Sequence, residues 1–175
     1  VDWDGDGDRD ILAGSVTGEV WLFLNDGAEG FALAGALQVP RPGGGEPQLL
    51  GRDEQERNTV PAVGDLSGDG IPDLILGGRS GNLSLYVHPA QRGGLLLQPA
   101  RPLQLGGQAG SATGRMSIPQ VADWDGDGLP DLFLGFDRGE LRLARNEGAP
   151  DAPVFGPTAL LTLDGVDRGR FLFPG

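Results

Sequence analysis

The sequence contains no cysteine and a single histidine, His88, and these shortages exclude several kinds of site. Without cysteine there can be no disulfide bond, no thiol nucleophile and no cysteine-ligated zinc. With one histidine, neither a histidine-based zinc centre nor a Ser-His-Asp triad can be assembled convincingly. The lack of disulfides leaves the compartment open, because bound metal can stabilise a fold in their place.

Long apolar runs and a leader segment are also missing. No stretch approaches the roughly 20 apolar residues of a membrane-spanning helix, and no signal peptide is present. The chain begins with Val1 rather than methionine, so we expect a processed product or an excised segment. The missing signal peptide therefore says nothing against secretion.

Basic residues are scarce: 13 lysines and arginines stand against 25 acidic residues, and the net charge is −12. So acidic a chain is a poor candidate for binding nucleic acid or an anionic membrane, and we expect neither partner nor membrane insertion. Twelve of the acidic residues fall within three nine-residue segments, where clustered carboxylates repel one another and oppose folding.

The clearest of these segments is the third, whose sequence is Asp-Trp-Asp-Gly-Asp-Gly-Leu-Pro-Asp over residues 123–131. Its carboxylates stand at positions 1, 3, 5 and 9, and its glycines stand at positions 4 and 6. This spacing suits Ca²⁺, which takes six to eight oxygen ligands in irregular geometry. Gly128 can adopt the positive φ of a sharp turn, and the backbone carbonyl of Leu129 is a natural extra ligand.

The same pattern occurs at residues 2–10 and at residues 65–73, where Ser67 replaces the second carboxylate. Three copies predict three cation sites, and the alternative is a set of Asx-rich turns without an ion. An EF-hand does not fit, because no glutamate stands at position 12 and no helices are predicted on either side.

Apolar runs recur at fixed distances from these loops, whose first residues are 2, 65 and 123. Helical periodicity is absent, so we interpret the runs as strands. The predicted strands are lead-in runs at 60–63 and 118–121, glycine-ended runs buried on both faces at 10–14, 73–77 and 131–135, second runs at 20–24, 83–87 and 141–145, and looser ones at 31–37, 95–97 and 154–163.

Four strands in about 60 residues make one blade of a β-propeller. The sequence predicts an all-β fold of four-stranded antiparallel sheets, with three blade equivalents in circularly shifted register. Their boundaries are about 1–56, 57–114 and 115–175, within a single propeller segment.

The loops, each followed by a glycine-ended strand and a second strand, resemble the FG-GAP/VCBS repeats of integrin-α-type β-propellers. In that family Ca²⁺ holds the turn between the first and second strands of a blade. The resemblance implies up to three structural Ca²⁺ ions, with the second site weakest because of Ser67. The implied ligands are Asp2, Asp4, Asp6 and Asp10; Asp65, Ser67, Asp69 and Asp73; Asp123, Asp125, Asp127 and Asp131; and the carbonyls of Asp8, Ile71 and Leu129.

The chain ends suggest how the blades continue. Residues 170–175 resemble the lead-in segments 57–62 and 115–120, whereas the first loop has no lead-in strand before it. Three blades are too few to close a ring, since propellers have 4–8. We therefore expect a neighbour to complete the first blade: the continuing chain of a longer protein, or a second copy, which would give six blades or an open filament.

Four aromatic residues and the histidine carry further predictions. Trp3 and Trp124 follow the first aspartate of their loops, where they can pack between blades or form a platform for a sugar ring. Trp21 and Phe23 are expected in the core between blades. His88 stands at the repeat position of Asn25 and Asn146, which indicates a residue at a strand end.

No catalytic residues are predicted, because the paired carboxylates that could hydrolyse a glycoside are already required by the metal. We expect a noncatalytic, extracellular or cell-surface module for adhesion, glycan binding or surface assembly, with a protein or carbohydrate partner. The alternative is an accessory propeller of a secreted polysaccharide-degrading enzyme.

Overall fold

The computed structural model describes residues 1–27, 30–51, 57–89, 92–109 and 116–161. Within these ranges all regular structure is β-strand, so no helix there is long and apolar enough to cross a membrane. The strands are β1 (Ile11–Gly14), β2 (Val20–Asn25), β3 (Phe31–Ala36), β4 (Gln38–Val39), β5 (Gln48–Leu49), β6 (Val60–Gly64), β7 (Asp73–Gly77), β8 (Ser84–Tyr86), β9 (Arg101–Pro102), β10 (Gln104–Leu105), β11 (Gln108–Ala109), β12 (Ile118–Ala122), β13 (Asp131–Gly135), β14 (Leu141–Ala144) and β15 (Ala159–Leu160).

Three antiparallel sheets form the body of the described chain. The first has the order β1-β2-β3, the second β6-β7-β8-β9 and the third β12-β13-β14-β15, while β4-β5 and β10-β11 are small hairpins. The all-β fold and the four-stranded antiparallel blades are confirmed. The first sheet has three strands, as expected for a blade that lacks its lead-in strand.

Two apolar cores lie between successive sheets. The first core joins the first and second sheets and contains Trp3, Val20, Leu22, Leu37, Leu50, Leu74, Leu76, Tyr86 and Leu97. The second core joins the second and third sheets and contains Ala62, Leu66, Ile75, Leu83, Leu85, Leu103, Leu132, Leu134, Phe136, Ala144 and Phe155. The second sheet is therefore covered on both faces, and every residue of β7 is buried.

The glycine that ends each inner strand has a packing role. A Cβ on Gly14 would lie 2.0 Å from the carbonyl oxygen of Thr59, and a Cβ on Gly77 would lie 2.4 Å from that of Ser117. Each glycine thus lets the segment leading into the next sheet approach the strand. A Cβ on Gly135 would meet nothing closer than 3.6 Å, because no further sheet covers that end of the described chain.

One predicted strand was wrong. Residues 95–97 are not the outer strand of the second sheet, which is β9 instead. The segment bonds to β4 instead. Gln38 N–H donates to the Leu95 carbonyl at 2.7 Å, and Leu97 N–H donates to the Gln38 carbonyl at 2.9 Å. These bonds connect β4 to the segment between β8 and β9, and Leu97 of that segment lies in the first core.

The outer faces of the first and third sheets have no sheet against them in the described chain. Directly paired residues share a face, so the pairs Ile11–Phe23 and Ala13–Trp21 place Trp21 and Phe23 on the outer face of the first sheet. Both are half-buried and lie outside the two cores of the described chain, so their place in a core between blades stays a prediction that requires a neighbouring blade. β1 is likewise not buried on both faces, since Ile11 is 44% exposed.

The expectations about the chain ends are not tested. Residues 170–175 and the first residue of the lead-in segment 115–120 lie outside the described residues. The repeat boundaries at about 56, 57, 114 and 115 also stay predictions.

Candidate metal centres

The three aspartate-rich loops occupy equivalent places in the sheets. The second loop, residues 65–73, connects β6 to β7, and the third, residues 123–131, connects β12 to β13. The first loop, residues 2–10, precedes β1. The second and third loops therefore have the predicted position, between the lead-in strand and the strand that follows it.

The ninth-position aspartate of each loop is buried and holds the loop to the sheet. One carboxylate oxygen accepts the backbone N–H of loop position 2, and the other accepts the N–H of a residue 15 positions later. The first bonds come from Trp3 (2.7 Å), Leu66 (2.9 Å) and Trp124 (2.9 Å), and the second from Asn25 (2.9 Å), His88 (2.9 Å) and Asn146 (2.8 Å), to Asp10, Asp73 and Asp131 respectively.

The ninth-position aspartate is thus a structural bridge as well as a predicted ligand. Sequence reasoning missed the bridge, although its signal was present in the equivalent positions of Asn25, His88 and Asn146. His88 lies two residues after the end of β8 at Tyr86, close to the predicted strand end.

The first-position aspartate curls each loop. In the third loop Asp123 accepts the N–H groups of Gly126 at 2.8 Å and Gly128 at 3.0 Å. Both glycines have positive φ, 79° and 87°, which side chains with a Cβ rarely adopt. The turn therefore requires glycine at positions 4 and 6.

Carboxylates converge in the first and third loops. Asp2, Asp4 and Asp10 each offer an oxygen, and these atoms lie within 4.8 Å of one another; Asp123, Asp125 and Asp131 do the same. Three hard oxygen donors around one point suit a divalent cation such as Ca²⁺. In the second loop, which is wholly described, Ser67 interrupts this arrangement and no triple carboxylate group forms.

The fifth-position aspartates lie outside the convergent groups. Asp6, Asp69 and Asp127 each accept the backbone N–H two residues later, from Asp8, Ile71 and Leu129, at 2.8 Å. These bonds fix the turn in which the seventh residue sits. Coordination by the fifth-position carboxylates and the seventh-position carbonyls stays a prediction.

Burial and crowding oppose the ionised form of two carboxyls. Burial, with the nearby charges of Asp6, Asp10 and Asp2, raises the pKa of Asp4 above its ordinary value, although the Asp6 N–H lowers it in part. Burial also raises the pKa of Asp73, outweighing the opposing hydrogen bonds from backbone N–H groups. In the first loop a bound cation would relieve this penalty.

Two arginines reach the loops, and sequence reasoning missed both. Arg145 Nη1 lies 3.1 Å from Oδ2 of Asp125 in the third loop. Arg92 Nη2 donates to the Gly70 carbonyl of the second loop at 2.6 Å and also packs against Gly5, where a Cβ would clash with it. The signal for Arg145 was its place in the second run, where the other repeats carry Leu24 and Val87.

The tryptophans of the first and third loops have different surroundings. Trp3 is fully buried in the first core, and its Nε1 donates to the Gly94 carbonyl at 3.2 Å. The rings of Trp3 and His88 meet edge-on, with 4.6 Å between their centroids. Trp3 therefore packs between blades, the first of its two readings. Trp124 is 55% exposed and contacts Phe133 edge-on at 5.4 Å, so the sugar-platform reading stays open for this residue.

Comparison with known families agrees with this geometry. The family model for the FG-GAP-like repeat matches residues 2–76 and 65–134, which together cover well over half of the 175 residues. The two matches overlap at the second loop and include all three loops.

Proposed function

Because the chain belongs to the FG-GAP-like repeat family, we propose that it is a noncatalytic β-propeller module whose loops bind structural Ca²⁺. The observation that carries the proposal is the convergence of three carboxylates in each of the first and third loops. The residues that would hold the ions there are Asp2, Asp4 and Asp10, and Asp123, Asp125 and Asp131. Carboxylate oxygens are the ligands that Ca²⁺ takes in proteins.

The ion would crosslink the loop to the sheet. Asp131 already binds the N–H groups of Trp124 and Asn146, so a cation on its carboxylate would connect the curled loop to two strands. It would also cancel the repulsion between neighbouring carboxylates. With free Ca²⁺ at about 10–100 times the dissociation constant, each occupied site would add about 1.4–2.7 kcal/mol to the free energy of unfolding.

A calcium titration of the melting temperature, with binding followed by calorimetry, tests the metal role. Asp123→Ala removes a converging carboxylate and should abolish about one site's share of the Ca²⁺-dependent gain. Asp137→Ala is the matched control, because Asp137 is an exposed aspartate in the β13–β14 turn. Equal calcium gains in the two variants would rule out a site in the third loop.

We place the module outside the cell or on its surface, where calcium is abundant enough for sites of modest affinity. The proposed roles are adhesion, glycan binding or surface assembly, with a protein or carbohydrate partner. A cleft of about 900 Å³ supports ligand binding: its walls include Pro42, Pro99 and Tyr86, with polar groups from Arg41, Gln48 and Ser84. Apolar ring faces beside a few hydrogen-bonding groups suit a sugar.

Glycan binding separates the leading proposal from the alternative, an accessory propeller of a polysaccharide-degrading enzyme. The chain is applied to a glycan array and incubated with polysaccharides whose products are measured. Binding without product release, weakened by Arg41→Ala with Gln48→Ala and unchanged by Asp137→Ala, supports the noncatalytic glycan-binding role. Product release from the isolated chain would support a link to hydrolysis.

Two uncovered sheet faces support a proposal about assembly. Ile11 and Leu33 are exposed on the first sheet, and Ile118 and Trp124 on the third. We propose that a further blade covers them, from the continuing chain of a longer protein or from another copy. The mass of the 175-residue chain in solution tests this: a dimer supports self-association, and a well-folded monomer counts against any need for a neighbour.

A further inference from the structure

We infer that Arg145 weakens cation binding at the third loop by holding Asp125 in an ion pair, so that the third site has lower affinity than the first. The inference rests on the proposed calcium role of both loops. It assigns a tuning function to a residue outside the ligand set.

The geometry places the guanidinium at a converging carboxylate. Arg145 Nη1 lies 3.1 Å from Oδ2 of Asp125, and Asp125 is one of the three residues whose oxygens converge in the third loop. The backbone of Arg145 is fixed by its neighbours, since it follows β14 and precedes Asn146, whose N–H binds Asp131. The arginine is therefore held beside the site by the same bridge that holds the loop.

The other repeats do not place a charge there. Leu24 and Val87 occupy the equivalent position, directly before Asn25 and His88, and both pack against the inter-sheet cores. In the first loop Asp4 accepts the backbone N–H of Asp6, and among the described residues no cationic side chain lies within ion-pair distance of it. Arg92 packs against Gly5 of the first loop, but its guanidinium donates to the Gly70 carbonyl and forms no ion pair with an aspartate of that loop among the described residues. The first and third loops thus share a ligand set and differ in that only the third has a ligand held in an ion pair.

Elementary electrostatics gives the direction of the effect. A divalent cation entering the third loop meets a positive charge already paired with one of its ligands, and it must displace that charge or share the carboxylate with it. The side chain of Arg145 is 58% exposed and that of Asp125 29% exposed, so water screens the repulsion. For a screened surface pair we expect a penalty of about threefold to tenfold in affinity.

The test is Arg145→Val, which installs the residue type of the second repeat. Binding is measured in an Asp2→Ala background, which disables the first site, with Tb³⁺ as a Ca²⁺ substitute. Trp124 in the third loop sensitises Tb³⁺ luminescence, whereas the second loop has Leu66 at that position. We expect the dissociation constant of the third site to fall about threefold to tenfold.

Arg138→Val is the control, because it removes the same formal charge from the exposed β13–β14 turn. It should leave the Tb³⁺ affinity within about twofold of the parent, since salt screens charges separated by more than a Debye length. Urea unfolding in EDTA checks that both variants are folded before the affinities are compared.

An unchanged or weaker third site in Arg145→Val would overturn the inference, and a weaker one would mean that the arginine positions Asp125 for binding. A tighter site in Arg138→Val as well would also overturn it, because net charge alone would then explain the gain. A different result would contradict the proposed calcium role itself. That result is a folded chain of unaltered sequence whose first loop binds neither Ca²⁺ nor Tb³⁺.

Discussion

The second loop and the third loop carry nearly the same sequence pattern but satisfy their carboxylates differently. In the second loop the first- and ninth-position aspartates, Asp65 and Asp73, accept six backbone N–H groups. In the third loop Asp123 and Asp131 accept four, and a further carboxylate converges on them. Backbone donors can therefore stabilise in one loop the charge that a cation would stabilise in the other.

The surroundings of the two loops differ in the same sense. Leu66, at position 2 of the second loop, is buried in the second core under the third sheet, whereas Trp124 at that position of the third loop is 55% exposed. The second loop is thus held by hydrogen bonds and packing. The third loop has fewer backbone hydrogen bonds and less packing. A cation on its converging carboxylates would therefore stabilise it more.

The largest effect should come from packing. Leu66→Ala removes a fully buried side chain from the second core and should lower the free energy of unfolding by about 2–5 kcal/mol. Trp124→Ala should cost less than about 1 kcal/mol, since most of that side chain already faces water. Urea denaturation of both variants in saturating calcium measures the difference. Equal losses would show that a neighbour covers Trp124 in solution.

The next effect distinguishes hydrogen bonding from metal binding. Asp73→Ala leaves the N–H groups of Leu66, Ser67 and His88 without their acceptor, and each buried unsatisfied group costs about 1–3 kcal/mol. We expect a loss of about 2–4 kcal/mol that is the same in calcium and in EDTA. Asp2→Ala, in the first loop, should instead lose about 1–3 kcal/mol in calcium and little in EDTA.

Urea denaturation with and without calcium measures both variants. The contrast between the loops would fail if the Asp73→Ala loss shrank in EDTA as much as the Asp2→Ala loss. Asp137→Ala is again the control, and its stability should stay within about 0.5 kcal/mol of the parent under both conditions.

The sequence was sufficient for the blades because their signals are local. A glycine-ended apolar run after an aspartate loop depends only on residues within about 15 positions, so β7 and β13 were predicted to the residue. Residues 95–97 were misassigned because their partner, Gln38, is almost 60 positions away along the chain. No local pattern carries a pairing at such a distance.

The site was predictable in its ligands and not in their grouping. Spacing identified Asp2, Asp4 and Asp10 as ligands, and these residues converge. It also predicted the fifth-position Asp6 as an equivalent ligand, and Asp6 lies outside the convergent group. The difference arises from the turn, in which Asp6 accepts the Asp8 N–H. The role of Arg145 required knowledge of which strand end lies beside which loop.

Adding the missing carboxylate at position 3 should make the second loop bind calcium as the third loop is proposed to do. Ser67→Asp adds a charge beside Asp65 and Asp73, so in EDTA the free energy of unfolding should fall by about 0.5–1 kcal/mol. In calcium the variant should gain more stability than the parent, because a third oxygen ligand completes the group. Calorimetry should detect one additional bound ion.

Ser67→Asn is the matched control, since it adds an oxygen without a charge. If Ser67→Asp bound no additional calcium, the hydrogen-bonded geometry of the second loop would be shown to exclude the ion whatever stands at position 3. That outcome would show that the second and third loops differ in backbone geometry and not only in the residue at position 3.

The smallest effect is on pH dependence, and its sign follows from the raised pKa of Asp4 and of Asp73. In the absence of calcium the folded chain holds the proton on each carboxyl more tightly than the unfolded chain does. The stability contributed by the protonated form is fully present below about pH 3.8 and is lost as the pH rises through the raised folded-state pKa. Relative to Asp4→Asn and Asp73→Asn, the parent chain in EDTA should therefore gain stability as the pH falls through the raised folded-state pKa towards about 3.8.

Calcium should separate the two residues. Ca²⁺ and a proton compete for the converging carboxylate of Asp4, so in calcium the contribution of Asp4 should reverse and stability should fall on acidification. The contribution of Asp73 should keep its sign, because the second loop has no convergent group of three carboxylates to hold the ion. Urea denaturation of the parent and the two asparagine variants over this pH range, with calcium and with EDTA, measures both slopes. A reversal at Asp73 as large as that at Asp4 would mean that the second loop binds calcium as the first does, and that hydrogen bonding does not replace the ion there.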